Sequence, residues 1–586
     1  MNKKDLILNI LLFISQIIVF YYFFCYLFPF KEQLQMFQFT SQYLTETLKQ
    51  AGGVAIYISE FLSQFYVVFW TGPIISALLL TLVALLSSLI LKKINSRNDL
   101  PLIFLLPWLS LLIISLDYDY YEQGTIAYLF LLLFLWLYTN IKTRIKFIYG
   151  ICIIPILYGI AGPIVHLFAI SALFFEFLTN GKKKYISIIY LLIAALSAIA
   201  GTYLGYSRNL TLAFLPEAYC NPLQTVSGIY YAWYALPMTM LLVAYLKRYK
   251  EPVSLKGKCI WEGAQWAIMF LLVYQGIFHF GKLDAQHSMK QDYLLRTEQW
   301  DLVISEFNHD VLSKRRMCGL NLALAHKGQL SERLLDYPQH GIETLMLHWD
   351  QSIYTAQLHS DLYYCMGIIS AAQKFAFEAF VSSRSSGNPR MLKRLIETNL
   401  ITGSYPIADK YIQLLEKTWF YKDRATAHRR FLYNDKAVEE DKILGMKRRC
   451  WKAEASAAKL YTDPVSSLIN LLPACPDNKA GLAYLTSFLL LNKDIETYKT
   501  LQESLYRSPA WRDMTECQQE AIVICSPNDP HFWLEHGVSI KVRNRAIAFM
   551  QKVQDVSRSG QNLAVALASE YGKTYWYYYM FNMMDK

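Results

Sequence analysis

Apolar residues fall into long unbroken runs over the first half of the chain and into a helical period over the second, with the change near Phe280. Nine apolar stretches run from Leu6 to Phe28, Phe65 to Leu91, Pro101 to Leu116, Thr125 to Ile141, Phe147 to Ala161, Pro163 to Leu178, Tyr185 to Tyr206, Ile229 to Leu246 and Ile260 to Phe280. A hydrocarbon core of ~30 Å takes about 20 helical residues to cross. The pattern therefore predicts about nine transmembrane helices within residues 1-280. Fifth and sixth stretches read alternatively as one kinked segment. Basic flanks on both sides, Lys142, Arg144 and Lys146 before and Lys182, Lys183 and Lys184 after, favour a hairpin broken at Gly162-Pro163.

Two loops of this half are longer than connection requires. Residues 31-64 place Leu34, Phe37, Phe39, Leu44 and Leu48, then Val54, Ile56, Ile58, Phe61 and Leu62, at helical spacing around Gly52-Gly53. That spacing predicts two amphipathic helices lying in the membrane interface. Residues 207-228 form the second loop, with Arg208, Glu217, Cys220 and two prolines. Gly72-Pro73-Ile74-Ile75 and Gly162-Pro163-Ile164-Val165 echo each other. Such an echo arises by duplication, or because Gly-Pro suits a helix start.

Residues 281-586 show no strict alternation long enough for a sheet, and turn clusters such as Ser385-Ser386-Gly387-Asn388-Pro389 separate helical stretches. A helix-turn-helix half recurs. Its clearest copy is Leu400-Ile401-Thr402-Gly403-Ser404-Tyr405-Pro406-Ile407-Ala408, followed by Tyr411, Ile412 and Leu415. Looser copies align Trp300, Leu330 and Ile495 with Tyr405. This half resembles the centre of a tetratricopeptide repeat (TPR), which implies a degenerate α-solenoid, with an irregular helical bundle as the alternative. The expected fold class is all-α: a polytopic membrane domain, residues 1-280, followed by a soluble TPR-like domain, residues 281-586.

Composition sharpens that division. The chain is 54% hydrophobic and 18% charged, which excludes disorder, a collagen-like fibre and a small disulfide scaffold. Residues 1-280 hold 19 Lys and Arg, and 16 of them fall in loops on one side of the nine-helix arrangement. Positive loops stay cytoplasmic, so the N-terminus is expected inside and residues 281-586 outside. Lys31, Lys49 and Arg208 are the three exceptions. The net charge of +11 is thus read as a topology signal, and no nucleic-acid partner is expected. Lys3 and Lys4 precede an apolar core too long for a cleavable signal peptide and without a small-residue cleavage site, so the first stretch reads as a signal anchor.

Few residues suggest chemistry. The cysteines of residues 281-586 lack a CxxC or a regular framework, and Cys517 with Cys525 is the only near pair. Phosphate-loop, zincin and serine-hydrolase motifs do not occur. His326, His340, His348 and His359 lack metal-ligand spacing. Asp117-Tyr118-Asp119-Tyr120-Tyr121-Glu122 is the notable run, at the outer end of the third stretch, with Glu32 past the outer end of the first. Carboxylates two apart on a turn can share a divalent cation, Mg or Mn, that neutralises a diphosphate leaving group. A separate carboxylate can activate an acceptor hydroxyl. The simpler alternative is that acidic and Tyr residues anchor the interface on a face that avoids positive charge.

A first helix, two interfacial helices, Glu32 at the start of their loop, Asp117-x-Asp119 after the third stretch and a large C-terminal outer domain resemble the C-type glycosyltransferases. The resemblance implies transfer of a sugar from a polyprenyl-phosphate-linked glycan, with Glu32 as base and Asp117 and Asp119 as the metal or diphosphate site. Glu122, Arg208 and His166 are further substrate-binding candidates. This loop offers only Glu32, Glu46 and Glu60 where that family usually has Asp. Lys31 to Phe37, Gly52-Gly53, Phe61 to Tyr66 and Asn321 to Gln329 also resemble an uncharacterised integral-membrane family of Bacteroidota. That likeness implies a Gram-negative inner membrane, with the bilayer as one partner and a periplasmic helical domain that takes an acceptor or a protein partner. The alternative function is a non-catalytic membrane-anchored scaffold for envelope assembly. A transporter is disfavoured, since His166 is the only ionisable residue near mid-membrane.

Overall fold

In a computed structural model of the chain, the described residues are 3–97, 99–100, 102–179, 185–221, 226, 228–249, 254–306, 313–383, 387–456, 463–505 and 514–582. Lys182, Lys183, Lys184, Lys250, Ser385 and Ser386 lie outside them. The described residues are all-α, with a lone antiparallel bridge between Tyr120 and Cys220. The chain divides into two units, Met1–Met289 with Lys417–Phe420, and Lys290–Glu416 with Tyr421–Lys586.

Every one of the nine apolar stretches contains a helix, yet among the described residues only four helices are long and apolar enough to cross a membrane. They are Asp5–Phe23, Thr71–Ile94, Glu122–Asn140 and Gly228–Leu246. A fifth exists if Lys256–Phe280 and Asp284–Arg296, bent by 57° at their junction, count as one span. This corrects the expectation of nine. Ile103–Ser115, Ile145–Ala161, Ile164–Leu178 and Ile189–Tyr203 are apolar but short. At ~1.5 Å per residue, helices of this length stop several ångströms short of a ~30 Å core. Local chemistry bounds them: 3-10 turns lead into Leu106–Ser115 at Ile103–Leu105 and into Ile189–Tyr203 at Ile186–Ile188, and Gly162, at φ 82°, separates Thr143–Ala161 from Ile164–Leu178. The several long apolar helices are those of a multi-span membrane protein.

Helices of this unit approach closely where side chains are small, as lipid-embedded packing favours. Thr143–Ala161 and Ile189–Tyr203 pack as a pair. A Cβ on Gly150 would lie 2.5 Å from the ring of Tyr190, and one on Gly201 would lie 2.3 Å from that of Tyr158. Each helix thus lends a glycine to receive the other's tyrosine. Ahead of the second span, Ser41–Leu48 and Gly53–Ser63 are separate helices, divided by Gly52 at φ 77°.

The second unit is a run of short helices in which neighbours in sequence pack on each other, Ile353–Met366 on Ile369–Ser382, that helix on Pro389–Thr402, and that on Tyr405–Glu416. One turn recurs between them. A residue at positive φ, Glu298, Gly328, Gly367, Gly403 or Lys493, closes a helix, and the next amide donates back to the carbonyl five residues earlier. These bonds are Gln299 to Leu294, Gln329 to Leu324, Ile368 to Tyr363, Ser404 to Asn399 and Asp494 to Leu489, all at 2.8–2.9 Å. This is the Schellman arrangement that satisfies a helix's last carbonyls. The helices that follow begin at Trp300, Leu330, Ile369, Tyr405 and Ile495. Side-chain caps start others: Ser313, Ser352, Asn388, Asp463 and Ser539 each accept an amide of the first turn, and Thr515 with Gln518 forms a capping box. Cys517 and Cys525 are free thiols.

Candidate functional site

The acidic run lies where the helix Leu106–Ser115 ends and Glu122–Asn140 begins. Asp117 Oδ1 accepts the amide of Asp119 at 2.9 Å, closing a tight turn of the kind Asp favours. A second loop holds that turn. Asn221 donates its amide to the Asp119 carbonyl at 2.8 Å and its Nδ2 to Asp119 Oδ1 at 3.1 Å, and Tyr121 N–H donates to the Tyr219 carbonyl at 3.0 Å. Both carboxylates are buried, and so is that of Glu122 at the first position of its helix, where negative charge meets the helix dipole. Glu122 Oε1 accepts from Ser76 at 3.2 Å, and Tyr66 lies 3.3 Å from the same hydroxyl.

Two lysines enter this acidic pocket. Lys282, in the junction after Phe280, places its Nζ 2.9 Å from Asp117 Oδ1 and 3.6 Å from Asp119 Oδ2, and 4.3 Å from the centre of the Tyr118 ring. Lys31, on the short helix Leu27–Glu32, is buried and donates to the carbonyl of Ser115 at 2.9 Å. It thereby occupies the negative end of the helix Leu106–Ser115. Burial lowers the Lys31 pKa below its ordinary value, while the charges of Glu122, Asp117 and Asp119 oppose that shift. For Lys282, burial also works against the charge, but the bond to Asp117 and the fields of Asp117, Tyr118 and Asp119 win, so its pKa is raised.

Asp117 and Asp119 therefore meet the Lys282 ammonium directly, and Lys31 feels the fields of Glu122, Asp117 and Asp119. Glu32 is buried beside Lys31 in sequence and accepts from its neighbour Gln33, while Phe30 of the same helix lies 5.8 Å from the Tyr118 ring of the acidic turn. His166 is engaged elsewhere, stacked on Phe214 with ring centres 4.8 Å apart. Arg208 is exposed in the loop that follows Tyr203. Among the described residues no group of three or more His, Cys, Asp or Glu side chains is disposed to hold a metal ion. The sequence reading passed over Lys31, Lys282, Ser76 and Asn221 as site residues. Lys31 did carry a signal, as one of three positive residues on the side that positive charge avoids.

The second unit holds a different charge cluster. Arg390 pairs with Asp292 at 2.7 Å and with Asp361, and Arg394 reaches Asp361 at 3.0 Å and Glu397 at 2.9 Å while lying 3.5 Å over the Tyr364 ring. Each guanidinium has carboxylate partners on two elements, which marks a structural tie. Nearby in sequence to the recurring turns, Trp300 stacks on His326 at 4.1 Å, and Tyr405 donates to Asp435 at 2.6 Å and accepts from Arg448 at 2.9 Å.

A family profile spanning almost the whole chain, residues 2–582, decides its kinship. The chain belongs to DUF6057, a family of unknown function. Neither a curated protein nor a solved structure matches it. The activity of this DUF6057 member must therefore be argued from its own residues.

Proposed function

We propose that this DUF6057 protein is a non-catalytic scaffold, anchored in the inner membrane by its apolar helices, whose helical-repeat unit recruits protein partners on the periplasmic side during envelope assembly. The observation that carries this reading is the ammonium of Lys282, 2.9 Å from Asp117 and 3.6 Å from Asp119. It lies where a cation shared by the two carboxylates would lie, so the pair as placed does not fit a resident Mg or Mn ion. The acidic turn then works as a joint, fixing the end of the last apolar helix against the helix ends at Ser115 and Glu122. With the bent fifth span included the number of crossings is odd, and together with the basic Lys3 and Lys4 at the N-terminus this supports a cytoplasmic N-terminus and a periplasmic second unit.

A metal-dependent glycosyltransferase acting on a polyprenyl-linked sugar is the second reading, favoured by the gathering of three carboxylates at one helix junction. It requires Lys282 to withdraw. Complementation in the source organism separates the two, with Asp117→Asn, Asp119→Asn and Glu32→Gln in one set and Trp300→Ala and Tyr405→Phe in the other. The scaffold reading expects the carboxylate set to function wherever protein level is normal and the second set to fail. Collapse of function in the carboxylate set at normal protein level would replace it with the transferase.

A further inference from the structure

The segment Lys417–Phe420 belongs to the membrane unit although some 130 residues of chain separate it from the rest of that unit. Its backbone is tied there, since the Phe39 amide donates to the Lys417 carbonyl at 2.9 Å. Its side chains complete an aromatic row. Trp419 lies 5.6 Å from Phe39 and 6.1 Å from Phe65, and Phe420 lies 5.8 Å from Phe65. Phe37 and Phe61 continue the row behind them, at 4.9 Å from Phe39 and 5.5 Å from Phe65. A core cluster would bury its outer members. Here Trp419 is 61% exposed and Phe39 48% exposed, with Leu44 and Leu48 exposed one turn apart on the adjoining helix Ser41–Leu48.

The depth of this row follows from covalent and hydrogen-bonded neighbours. Thr71, the first residue of the span Thr71–Ile94, donates its hydroxyl to the Phe65 carbonyl. Phe65 therefore sits at the end of a membrane-crossing helix, level with exposed Trp70, and Trp419 packs against it. Trp side chains concentrate at that depth because an apolar ring and a single N–H donor suit the boundary between acyl chains and headgroups.

We propose that Trp419, with Phe39 and Leu48, is a lipid-contacting element that rests in the headgroup boundary of the bilayer the chain spans. The occupant of this apolar face is lipid, because the face continues the aromatic rim of a span. The inference rests on the reading of the apolar helices as membrane-embedded, and the test is built so that the two can fail separately. It predicts that a stretch of chain far from the hydrophobic half reads the membrane surface directly.

The test places an environment-sensitive fluorophore at single cysteines in the full chain, reconstituted in phosphatidylcholine and phosphatidylglycerol nanodiscs. Exposed Cys152 and Cys259 and the half-buried Cys25 and Cys525 are first replaced by Ser, which leaves only buried native thiols. Probe sites are Trp419→Cys and Phe39→Cys, either of which suffices if the other does not fold. Leu78→Cys, exposed within the span Thr71–Ile94, serves as the lipid control, and Lys436→Cys, exposed on the second unit, as the aqueous control. Probes at 419 and 39 are expected to lose emission to lipids carrying a nitroxide near the headgroup, more than to lipids carrying it near the chain end, and to resist a water-soluble quencher. Quenching at 419 and 39 by the aqueous agent as full as at 436 would overturn the proposal, as would shielding from both agents, which would mean a protein covers the face. If the probe at 78 also escapes lipid nitroxides, the membrane reading falls with it.

Discussion

The helix end at the acidic turn of the membrane unit is secured in the opposite way to the recurring turns of the repeat unit, although the membrane unit also holds one such turn, at Gly205, where the Tyr206 amide donates to the Gly201 carbonyl at 2.8 Å. In the repeat unit the turn secures itself: one residue at positive φ and one amide bond to the carbonyl five residues back satisfy the last carbonyls within six residues of chain, at the five turns above and again at Gly537, where Val538 donates to Trp533. In the membrane unit the end of Leu106–Ser115 is secured from afar. Lys31 donates to Ser115 across 84 residues, Lys282 meets Asp117 across 165, and Asn221 clasps Asp119 across 102. Local turns can be repeated, lengthened and varied, which suits a surface that evolves to meet partners. A joint built from distant charges fixes one arrangement of helices and tolerates little change.

The largest expected effect is on that joint. Lys31→Met removes a buried amine, leaves the Ser115 carbonyl without its donor and weakens the positive field at Glu122, Asp117 and Asp119, a loss of about 3 kcal/mol for a buried group left unsatisfied. Thermal unfolding of the detergent-solubilised chain should show it. Lys282→Met should cost clearly less, because Lys282 is partly exposed to solvent that screens its charge. Equal losses would mean the two lysines act as one unit.

A pH dependence of order 2 kcal/mol is expected in the repeat unit. Burial raises the Glu520 carboxyl to about 7, although it accepts the Tyr575 amide at 2.7 Å and feels the charge of Arg545. An acid whose folded pKa exceeds its unfolded value of ~4.3 takes up a proton on folding. Its stabilisation is complete below that unfolded value and is lost as pH rises through about 7. Glu520→Gln should flatten stability across this window, read as hydrogen exchange of the helix Tyr575–Phe581 between acidic and neutral pH. An unchanged slope would show that Glu520 is not the group responsible.

Smaller effects test the self-sufficient turns. Gly367→Ala puts a Cβ at φ 88° and 2.9 Å from Asn478 Nδ2, and should cost about 1–2 kcal/mol. Glu298→Gly relieves a side chain held at φ 59° and should be neutral or stabilising by up to ~1 kcal/mol. Opposite signs at these two positions, measured by thermal unfolding, would confirm that the turns rather than their side-chain contacts set the spacing of the helices.

The same contrast governs what the amino-acid sequence makes legible. The all-α class follows from period alone, and the aligned positions Trp300, Leu330, Tyr405 and Ile495 are each the first residue of a helix after a Schellman turn. These turns are written in adjacent residues, so a short motif finds them. Gly367 was missed because Ile369, at the matching position, is not preceded by the polar run that marked the others. In the membrane half, apolar runs show where helices lie but not where each stops. A left-handed Gly162 costs too few residues to interrupt a hydropathy pattern, yet it ends a helix short of membrane thickness. The acidic turn was visible as Asp117-x-Asp119. Its partners were not, because Lys31 and Lys282 are brought to it only by tertiary packing.

The central claim, that the acidic turn is a lysine-compensated joint, is tested most directly by titrating the purified chain with Mg and Mn while following its thermal unfolding. A ligand that binds the folded state raises the unfolding temperature in a saturable way. The account predicts no saturable shift for the native chain, and the same for Asp119→Asn. A saturable rise in the native chain that disappears in Asp119→Asn would contradict it, showing that the two carboxylates take a cation in place of Lys282.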